Sequence, residues 1–313
     1  MAEPDGVLGK IAATKRAELA QRFAGVSLDA IRAQARPTSA SLAQSLGSPG
    51  ARFILEIKKA SPSQGLIRAA ADPAELARGY AGVADALSVL ADGPFFGGSL
   101  ADLSAARAEF DGPILAKDFF IDLRQVAEAR IAGTDAILVM LSLLDDVAAR
   151  AMIDEATRFA MDVLVEVHDE AEMRRALALG APIIGINNRD LRDLSIDLST
   201  TERLAPLAPS RLLVAESGIA SQADVARLSP MVDAFLVGTS LMRSEAPGQA
   251  ARALIFGRTK LCGLNSAELL FEARPATFGG LIFVPDSPRN ITADLAAPLA
   301  VALRRSGIAP VGV

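Results

Sequence analysis

The sequence contains very little cysteine and histidine, and this shortage excludes several kinds of protein. One cysteine among 313 residues rules out an intrachain disulfide, and one histidine leaves little with which to build a metal site. A Ser-His-Asp hydrolase is also disfavoured, because no triad partners accompany the single histidine, His168. We therefore expect a protein of the reducing cytoplasm that holds no metal.

The sequence also lacks long apolar runs and has no excess of positive charge. Lys and Arg number 32 against 37 Asp and Glu, which gives a formal net charge of −5 and no reason to expect nucleic acid or an anionic membrane as a partner. No apolar run approaches the roughly 18 to 20 residues of a membrane span, and the N-terminus lacks a signal-peptide core. Because 51% of the residues are hydrophobic, we expect a folded cytoplasmic enzyme with a sizeable core.

Two hydrophobic patterns follow one another along the chain. Residues 1–50 carry apolar residues at helical spacing and predict helices. From residue 52, short apolar runs alternate with amphipathic helical stretches such as residues 169–179 and 221–228. The apolar runs are residues 53–56, 86–90, 113–117, 136–141, 163–166, 183–187, 212–216 and 234–238. Strands that are buried on both faces and separated by helices form parallel sheets.

Eight strand–helix units within about 200 residues are typical of a closed (β/α)₈ TIM barrel. An open, doubly wound sheet is the alternative, but no G-x-G-x-x-G turn follows the first run. We therefore predict an α/β protein in which residues 1–257 form a TIM barrel, with an N-terminal helical extension of about residues 1–50.

The strand–helix pattern begins again near residue 257. It predicts, in order, a strand, a helix, a strand, a helix and the start of a third strand at residues 259–264, 266–274, 280–284, 291–305 and 310–313. Fewer than three units cannot close a barrel and would leave an apolar edge exposed. We expect residues 258–313 to be a partial second βα segment, either a truncated domain or the product of a shortened chain. Such a tail would stay loose, dock on the barrel or self-associate.

Polar residues end most of the predicted barrel strands, at the edge where barrel enzymes place their catalytic groups. These residues are Glu56, Lys58, Lys117, Glu166, Asn187, Arg189, Glu216 and Ser217. A single Glu or Lys at a strand end is usually a solvated residue of the rim. Several lysines and carboxylates that converge on one partly dry mouth can instead divide acid and base roles between them. The set therefore favours an active site.

Glycine-containing turns follow the last two predicted strands. Residues 216–219 (ESGI) follow the seventh strand, and residues 238–241 (GTSL) follow the eighth. Glycine permits close approach of the backbone, and exposed N–H groups at a helix start bind phosphate. Barrels commonly place a phosphate site after these two strands. Two ordinary tight turns are the alternative, but the pattern favours a small phosphorylated substrate.

Six motifs, in order along the chain, resemble the signatures of indole-3-glycerol-phosphate synthases. They are residues 53–63 (FILEIKKASPS), 115–119 (LAKDF), 164–168 (LVEVH), 185–191 (GINNRDL), 216–219 (ESGI) and 237–242 (VGTSLM). The resemblance covers roughly residues 5–256. It implies a cofactor-free carboxy-lyase of tryptophan biosynthesis. This enzyme converts 1-(2-carboxyphenylamino)-1-deoxyribulose 5-phosphate into indole-3-glycerol phosphate, carbon dioxide and water.

The resemblance also implies roles for the strand-end residues. Lys117 would be the general acid that protonates the ribulose carbonyl, and Glu166 and Glu56 would handle the later proton transfers. Lys58 would lie near the substrate carboxylate or the leaving hydroxyl. The residues that orient the site and the substrate would be Asn187 and Glu216. We expect His168 to face away from Glu166 and to pack under the rim of the barrel.

The remaining implied residues bind substrate. Those of the phosphate region would be Arg189, Ser217, Gly218, Gly238 and Thr239. Those that form apolar walls for the anthranilate ring would be Phe119, Leu138 and Leu236. The mobile first loop would contribute Ser61 and Pro62. No step of this ring closure requires an electron sink or a metal.

The tail has a resemblance of its own. Residues 259–264 (TKLCGL) and 283–289 (FVPDSPR) resemble the start of phosphoribosylanthranilate isomerase, a barrel that is fused to the synthase in some bacteria. There Cys262 would be the general base, and Arg289 would contact the anthranilate carboxylate. The partner aspartate and the phosphate loops of that family belong to later strands. We therefore expect both residues to be vestigial.

Two other functions remain open at this point. One is a phosphosugar isomerase in which the tail is the active part, and the missing strands speak against it. The other is an inactive barrel whose tail recruits a partner to complete the second domain. Retention of Lys58, Lys117 and Glu166 together favours an active synthase over an inactive barrel.

Overall fold

The N-terminal extension is helical. The structure, a computed structural model, describes residues 6–191, 193–257, 260–270 and 276–312. The helices that precede the first strand are α1 (Gly6–Arg22), α2 (Leu28–Arg32) and α3 (Leu42–Leu46). Side chains of Ser27 and Ser41 accept hydrogen bonds from backbone N–H groups in the first turns of α2 and α3. Such caps satisfy donors that a helix start leaves unpaired.

Parallel strands close into a barrel. The first strand, β1 (Arg52–Ile57), is followed by a short hairpin, β2 (Ala60–Ser61) and β3 (Gly65–Leu66). The remaining barrel strands are β4 (Ala86–Leu90), β5 (Ile114–Lys117), β6 (Ala136–Met140), β7 (Asp162–Val167), β8 (Ile183–Asn187), β9 (Leu212–Glu216) and β10 (Ala234–Val237). Among the described residues, eight strands pair with their neighbours in chain order, and β10 pairs back with β1. The predicted TIM barrel is confirmed.

Helices follow the barrel strands along the chain. They are α4 (Pro73–Tyr80), α5 (Gly93–Phe96), α6 (Leu100–Arg107), α7 (Leu123–Ile131), α8 (Asp146–Arg158), α9 (Glu170–Ala178), α10 (Ser199–Leu204), α11 (Gln222–Leu228), α12 (Thr239–Met242) and α13 (Pro247–Phe256). An Asp or Ser caps the start of many of them, for example Asp145 before α8 and Asp169 before α9. No helix in the described part of the chain is long and apolar enough to cross a bilayer.

The barrel strands are buried because helices cover one face and side chains fill the other. Every residue of β4 and β6 is buried, and Phe53 of β1 stacks on Phe235 of β10 with ring centroids 5.6 Å apart. Fully burying a Leu or Ile side chain such as Leu87 or Ile137 contributes roughly 1.5–3 kcal/mol. Apolar burial thus holds the strand ends rigidly enough to position polar side chains at the rim.

The tail forms a small unit with its own core. Its elements are β11 (Lys260–Cys262), β12 (Phe278–Leu281), α14 (Ala293–Arg305) and β13 (Ala309–Gly312). In the described part of the tail the strands form one parallel sheet in the order β11-β12-β13. Of the helix predicted at residues 266–274, the described part contains a short 3₁₀ turn at Glu268–Leu270. Residues 258–259, 271–275 and 313 lie outside the described residues.

This tail docks on the outside of the barrel, against α4 and α13. Arg252 of α13 is fully buried, and its guanidinium donates hydrogen bonds of 2.9 and 2.6 Å to the carbonyl of Ser306, which follows α14. Three glycines meet beside this contact. A Cβ atom at Gly248 would lie 2.9 Å from the carbonyl oxygen of Gly79 and 3.2 Å from the Cα of Gly307. Of the three arrangements expected for the tail, the structure shows docking.

Candidate active site

A cavity of about 380 Å³ lies at the carboxyl-terminal mouth of the barrel. All the residues that the sequence assigned to the synthase site line it. The predicted catalytic residues among them are Glu56, Lys58, Lys117, Glu166, Asn187 and Glu216, and the predicted binding residues are Ser61, Pro62, Phe119, Leu138, Arg189, Ser217, Gly218, Leu236, Gly238 and Thr239. The fold therefore brings these side chains together, while the role of each one stays a prediction.

Lys117 lies between two buried carboxylates. Its Nζ is 3.0 Å from Oε2 of Glu166 and 2.5 Å from Oε2 of Glu216. Burial alone would lower the pKa of Lys117, but the negative charges of Glu166 and Glu216 outweigh this effect and raise the pKa above its ordinary value. Lys117 is therefore a charged ammonium at neutral pH, and its role as the general acid stays a prediction.

The two carboxylates beside Lys117 differ in protonation. Burial alone would raise the pKa of Glu166, but Lys117 and the ring of His168 together lower the pKa well below its usual range. At Glu216 burial and repulsion by Glu166 prevail over Lys117, and the pKa is raised to about 7. Near neutral pH the site thus combines one ionised carboxylate with one that can hold or release a proton, a division typical of acid–base catalysis.

A second ion pair lies at the carboxyl end of β1. Nζ of Lys58 lies 2.7 Å from Oε1 of Glu56. Two glycines leave room for the carboxylates of the site, because a Cβ atom at Gly238 would lie 2.3 Å from Oε1 of Glu56, and one at Gly185 would lie 2.0 Å from Oε1 of Glu216. The sequence had assigned Gly238 to the approach of phosphate. In the structure, Glu56 occupies the side-chain position of Gly238, and the assignment of Gly238 to the phosphate stays a prediction.

Two loops and an arginine form one corner of the cavity. Ser217 and Gly218 both have positive φ angles, 62° and 85°, which turn the backbone sharply after β9. The hydroxyl of Ser240 donates a hydrogen bond of 3.0 Å to the carbonyl of Ile219 and so joins the loops after β9 and β10. The side chain of Arg189 supplies positive charge at the same cavity. This corner has the composition of a phosphate site.

Comparison with known proteins identifies the family. The family model described as indole-3-glycerol phosphate synthase matches residues 8–254. The chain belongs to the indole-3-glycerol phosphate synthase family. This membership confirms the resemblance that the six motifs carry, over nearly the same residues.

Curated relatives of two kinds match the chain. The indole-3-glycerol phosphate synthase of Rhodospirillum rubrum is 47% identical over 259 residues, which cover 80% of this chain and 98% of the relative. The tryptophan biosynthesis protein TrpCF of Corynebacterium glutamicum is 46% identical over 278 residues, 88% of this chain and 58% of the relative. The TrpCF protein of Salmonella typhi is 42% identical and matched over 65% of its length. The chain thus spans about three fifths of these TrpCF relatives.

The N-terminal helix of this synthase-family chain lines the cavity, which the sequence did not indicate. Val7, Leu8 and Ile11 of α1 all contribute to its wall. Helical spacing predicted α1 but not where the helix packs, because an apolar stripe can cover any part of a barrel. The apolar wall is therefore shared between the barrel and the extension.

A buried ion cluster fastens α1 beside the catalytic strands. Nζ of Lys15 lies 2.8 Å from Oδ1 of Asp92, after β4, and 2.9 Å from Oδ1 of Asp118, which directly follows Lys117. Lys15 and Asp92 are each only 1% exposed. Burial alone would lower the pKa of Lys15, but Asp118 and Asp92 raise it above its ordinary value. Sequence reasoning missed this cluster, since its members are far apart in the chain.

The expectation for His168 was wrong. Its Nε2 lies 3.3 Å from Oε1 of Glu166, so the ring faces this carboxylate and does not turn away from it. β7 ends at Val167, and residues two apart along an extended chain face the same side. The i, i+2 spacing of Glu166 and His168 was the signal that could have predicted their contact.

Cys262 and Arg289 lie in the tail and take no part in lining the cavity. The Cys262 side chain is exposed. Arg289 packs beside Gly263, the residue that follows Cys262, since a Cβ atom at Gly263 would lie 2.5 Å from Cδ of Arg289. The structure therefore places these two residues near each other and outside the synthase site, and their isomerase origin stays a prediction.

Proposed function

We propose that the chain is an indole-3-glycerol phosphate synthase, a carboxy-lyase that closes the indole ring of 1-(2-carboxyphenylamino)-1-deoxyribulose 5-phosphate in tryptophan biosynthesis. Residues 1–257 would carry this activity, and residues 258–313 would form a separate unit. The observation that carries the proposal is the Lys117 ammonium held between the carboxylates of Glu166 and Glu216 inside the barrel mouth. An acid between two bases of different pKa suits a reaction made of successive proton transfers.

Ring closure begins with a carbon–carbon bond. The aromatic carbon that bears the carboxylate attacks the ribulose carbonyl carbon, and Lys117 donates a proton to the carbonyl oxygen as it becomes a hydroxyl. The bond to the carboxylate then breaks, its electron pair restores the aromatic ring, and carbon dioxide leaves. No charge has to be stored outside the substrate in this step, because carbon dioxide departs neutral.

Dehydration completes the indole. The new hydroxyl leaves as water after it accepts a proton, and a base removes a proton from the substrate to form the second double bond of the five-membered ring. Glu166 and Glu56 line the cavity close to Lys117 and Lys58 and would carry out these transfers. Lys58 would hold the substrate carboxylate or the leaving hydroxyl.

Binding would follow the shape of the cavity. The phosphate would lie in the corner formed by Arg189 and the loops after β9 and β10, where backbone and guanidinium groups can both donate hydrogen bonds. The anthranilate ring would lie against the apolar walls of the barrel and α1. Phosphate and ring would thus be held at separate places, with the reacting carbons beside Lys117.

The direct test is turnover of the proposed substrate by the purified chain, followed by the fluorescence of the indole product. We expect turnover, competitive inhibition by inorganic phosphate at high concentration, and no change of rate on addition of EDTA. Absence of indole formation over the full pH range in which the protein is folded would exclude the proposed function.

Replacing Gly238 by alanine should lower kcat at least about tenfold. The added Cβ atom would meet Oε1 of Glu56 at 2.3 Å, so the carboxylate must move, and a displacement of about 1 Å in a catalytic group can cost roughly 100-fold. Gly93→Ala is a matched control, since a Cβ atom there would meet the carbonyl oxygen of Gly98 at an ordinary 3.7 Å. Unchanged kcat in Gly238→Ala would show that Glu56 tolerates displacement.

Deleting residues 258–313 should leave synthase kcat within about twofold. The cavity is lined by residues no later than Arg243, so the deletion removes none of its walls. Self-association should fall, because the tail carries exposed apolar side chains at Phe283 and Val284 and open strand edges. Sedimentation velocity and steady-state kinetics check both statements. Loss of activity in the shortened protein, with its fold intact by circular dichroism, would contradict this view.

A further inference from the structure

The two oxygens of the Glu166 carboxylate have different partners. Oε2 faces Nζ of Lys117 at 3.0 Å, and Oε1 faces Nε2 of His168 at 3.3 Å. This buried Oε1 has no hydrogen-bond partner within the described part of the chain, and the ring of His168 is its neighbour at ion-pair distance. A carboxylate that is bound at one oxygen alone can rotate about its last side-chain bond. The imidazole is therefore the charged group placed to hold the other oxygen.

His168 is held in turn by Glu172, in the first turn of α9. Oε2 of Glu172 lies 3.0 Å from Nδ1 of the ring and accepts a hydrogen bond of 2.8 Å from the backbone N–H of His168. Asp169 caps the helix and accepts a hydrogen bond from the backbone N–H of Glu172. The start of α9 thus keeps both the ring and its partner carboxylate in place.

We propose that His168 and Glu172 are positioning residues, which direct the Glu166 carboxylate toward Lys117 and the reacting atoms. The proposal rests on the synthase function proposed above. It follows the general arrangement in which a carboxylate orients an imidazole that acts on a third group. Here the third group is Glu166, the residue that would move protons during ring closure.

The charges of the surrounding groups support this arrangement. Burial alone would lower the pKa of His168, but the contacts with Glu166 and Glu172 raise it to about 10. The groups that face the ring are therefore Glu166 from β7 and Glu172 from α9, with Lys117 and Glu216 beyond Glu166. An imidazolium at this place offsets the repulsion between Glu166 and Glu216. It keeps Glu166 ionised in a site where burial opposes charge.

A merely structural role is the alternative, in which His168 fastens the loop before α9 and leaves the chemistry untouched. The two roles differ in what a substitution changes. A positioning pair controls kcat and the ionisation of Glu166, whereas a loop fastener controls thermal stability alone. His168 is the only histidine of the chain, so its ring gives a single, unambiguous set of nuclear magnetic resonance signals.

The experiment combines kinetics with titration of this ring. His168→Asn keeps a group near Glu172 but cannot reach Glu166. We expect kcat to fall about tenfold to 100-fold with KM within about threefold, because a displacement of about 1 Å in a catalytic group can cost roughly 100-fold. His168→Gln can place an amide N–H near the position of Nε2 and should restore part of kcat. Glu170→Gln is the matched control in the same helical turn, because Glu170 is exposed and pairs with Arg174, and its kcat should stay within about twofold.

Titration is independent of activity. In the wild-type chain the His168 signals should keep their imidazolium positions up to about pH 9, in line with a pKa raised to about 10. Glu172→Gln removes a negative partner of the ring and should lower the midpoint of the His168 titration by at least one pH unit. A wild-type midpoint near the ordinary 6.5 overturns the proposal, whether or not the variants fold. So does His168→Asn with kcat within twofold of wild type. A wild-type chain without turnover would instead exclude the synthase function, while titration still decides whether the pair is formed.

Discussion

Replacing Lys117 by methionine is expected to lower kcat by roughly 10²- to 10⁴-fold, the usual contribution of general acid catalysis. Methionine has a similar length but no proton to donate, so the carbonyl oxygen would gain negative charge without an acid beside it. The fold should persist. With the ammonium removed, burial and mutual repulsion favour a proton on Glu216, whose pKa is already raised to about 7, so no second buried negative charge remains uncompensated.

Lys59→Met provides the matched control for Lys117. Lys59 is adjacent to Lys58, but it is absent from the cavity wall and forms an ion pair of 2.7 Å with Asp102. Its replacement removes a lysine of the same rim without touching the proposed acid, so kcat should change less than about threefold. A fall of less than tenfold in Lys117→Met, measured with indole fluorescence at saturating substrate, would assign the acid role to another group.

Replacing Lys15 by methionine is expected to destabilise the protein by about 3–5 kcal/mol at neutral pH, as removal of one partner from a buried ion pair generally does. The change leaves Asp92 and Asp118 buried without their cation. Burial already raises the pKa of Asp118 in the presence of Lys15, and without the ammonium this pKa should rise further. The loss of stability should therefore be largest above neutral pH and shrink in acid, where the carboxyl is protonated and neutral.

Urea unfolding at several pH values measures this loss. Lys10→Met is the control, because Lys10 is exposed on the same helix and should cost less than about 0.5 kcal/mol. A double variant, Lys15→Met with Asp118→Asn, should recover part of the stability by removing one unpaired charge. KM should also rise in Lys15→Met, since α1 carries part of the cavity wall. A destabilisation below 1 kcal/mol would mean that water reaches the cluster and solvates it.

The barrel could be predicted from the sequence because its signal is local. Each strand is a short apolar run followed by an amphipathic helix, and burial of β4 and β6 along their full length explains why those runs do not alternate. The polar residues at strand ends could be assigned to one site for the same reason, since parallel strands in a barrel all end at one mouth. Family membership then confirms the fold and the resemblance, and the role of each residue awaits the experiments above.

The tail shows where local patterns were less informative. Its strands and its long helix were predicted close to their observed positions. The packing of the tail on the barrel was not predicted, because docking depends on surfaces from distant parts of the chain. The close approach of Gly79, Gly248 and Gly307, and the burial of Arg252 against the Ser306 carbonyl, involve three separate elements.

The sequence by itself thus determined the order of strands and helices and the set of polar residues that meet at the barrel mouth, since both follow from periodicity and from the direction of parallel strands. Only the tertiary structure decided which groups contact one another. It placed Lys15 with Asp92 and Asp118, His168 with Glu166, and α1 over the cavity. Protonation depends on burial and on neighbours within a few ångströms. Therefore Glu166 and Glu216, two glutamates at equivalent strand ends, acquire opposite pKa shifts.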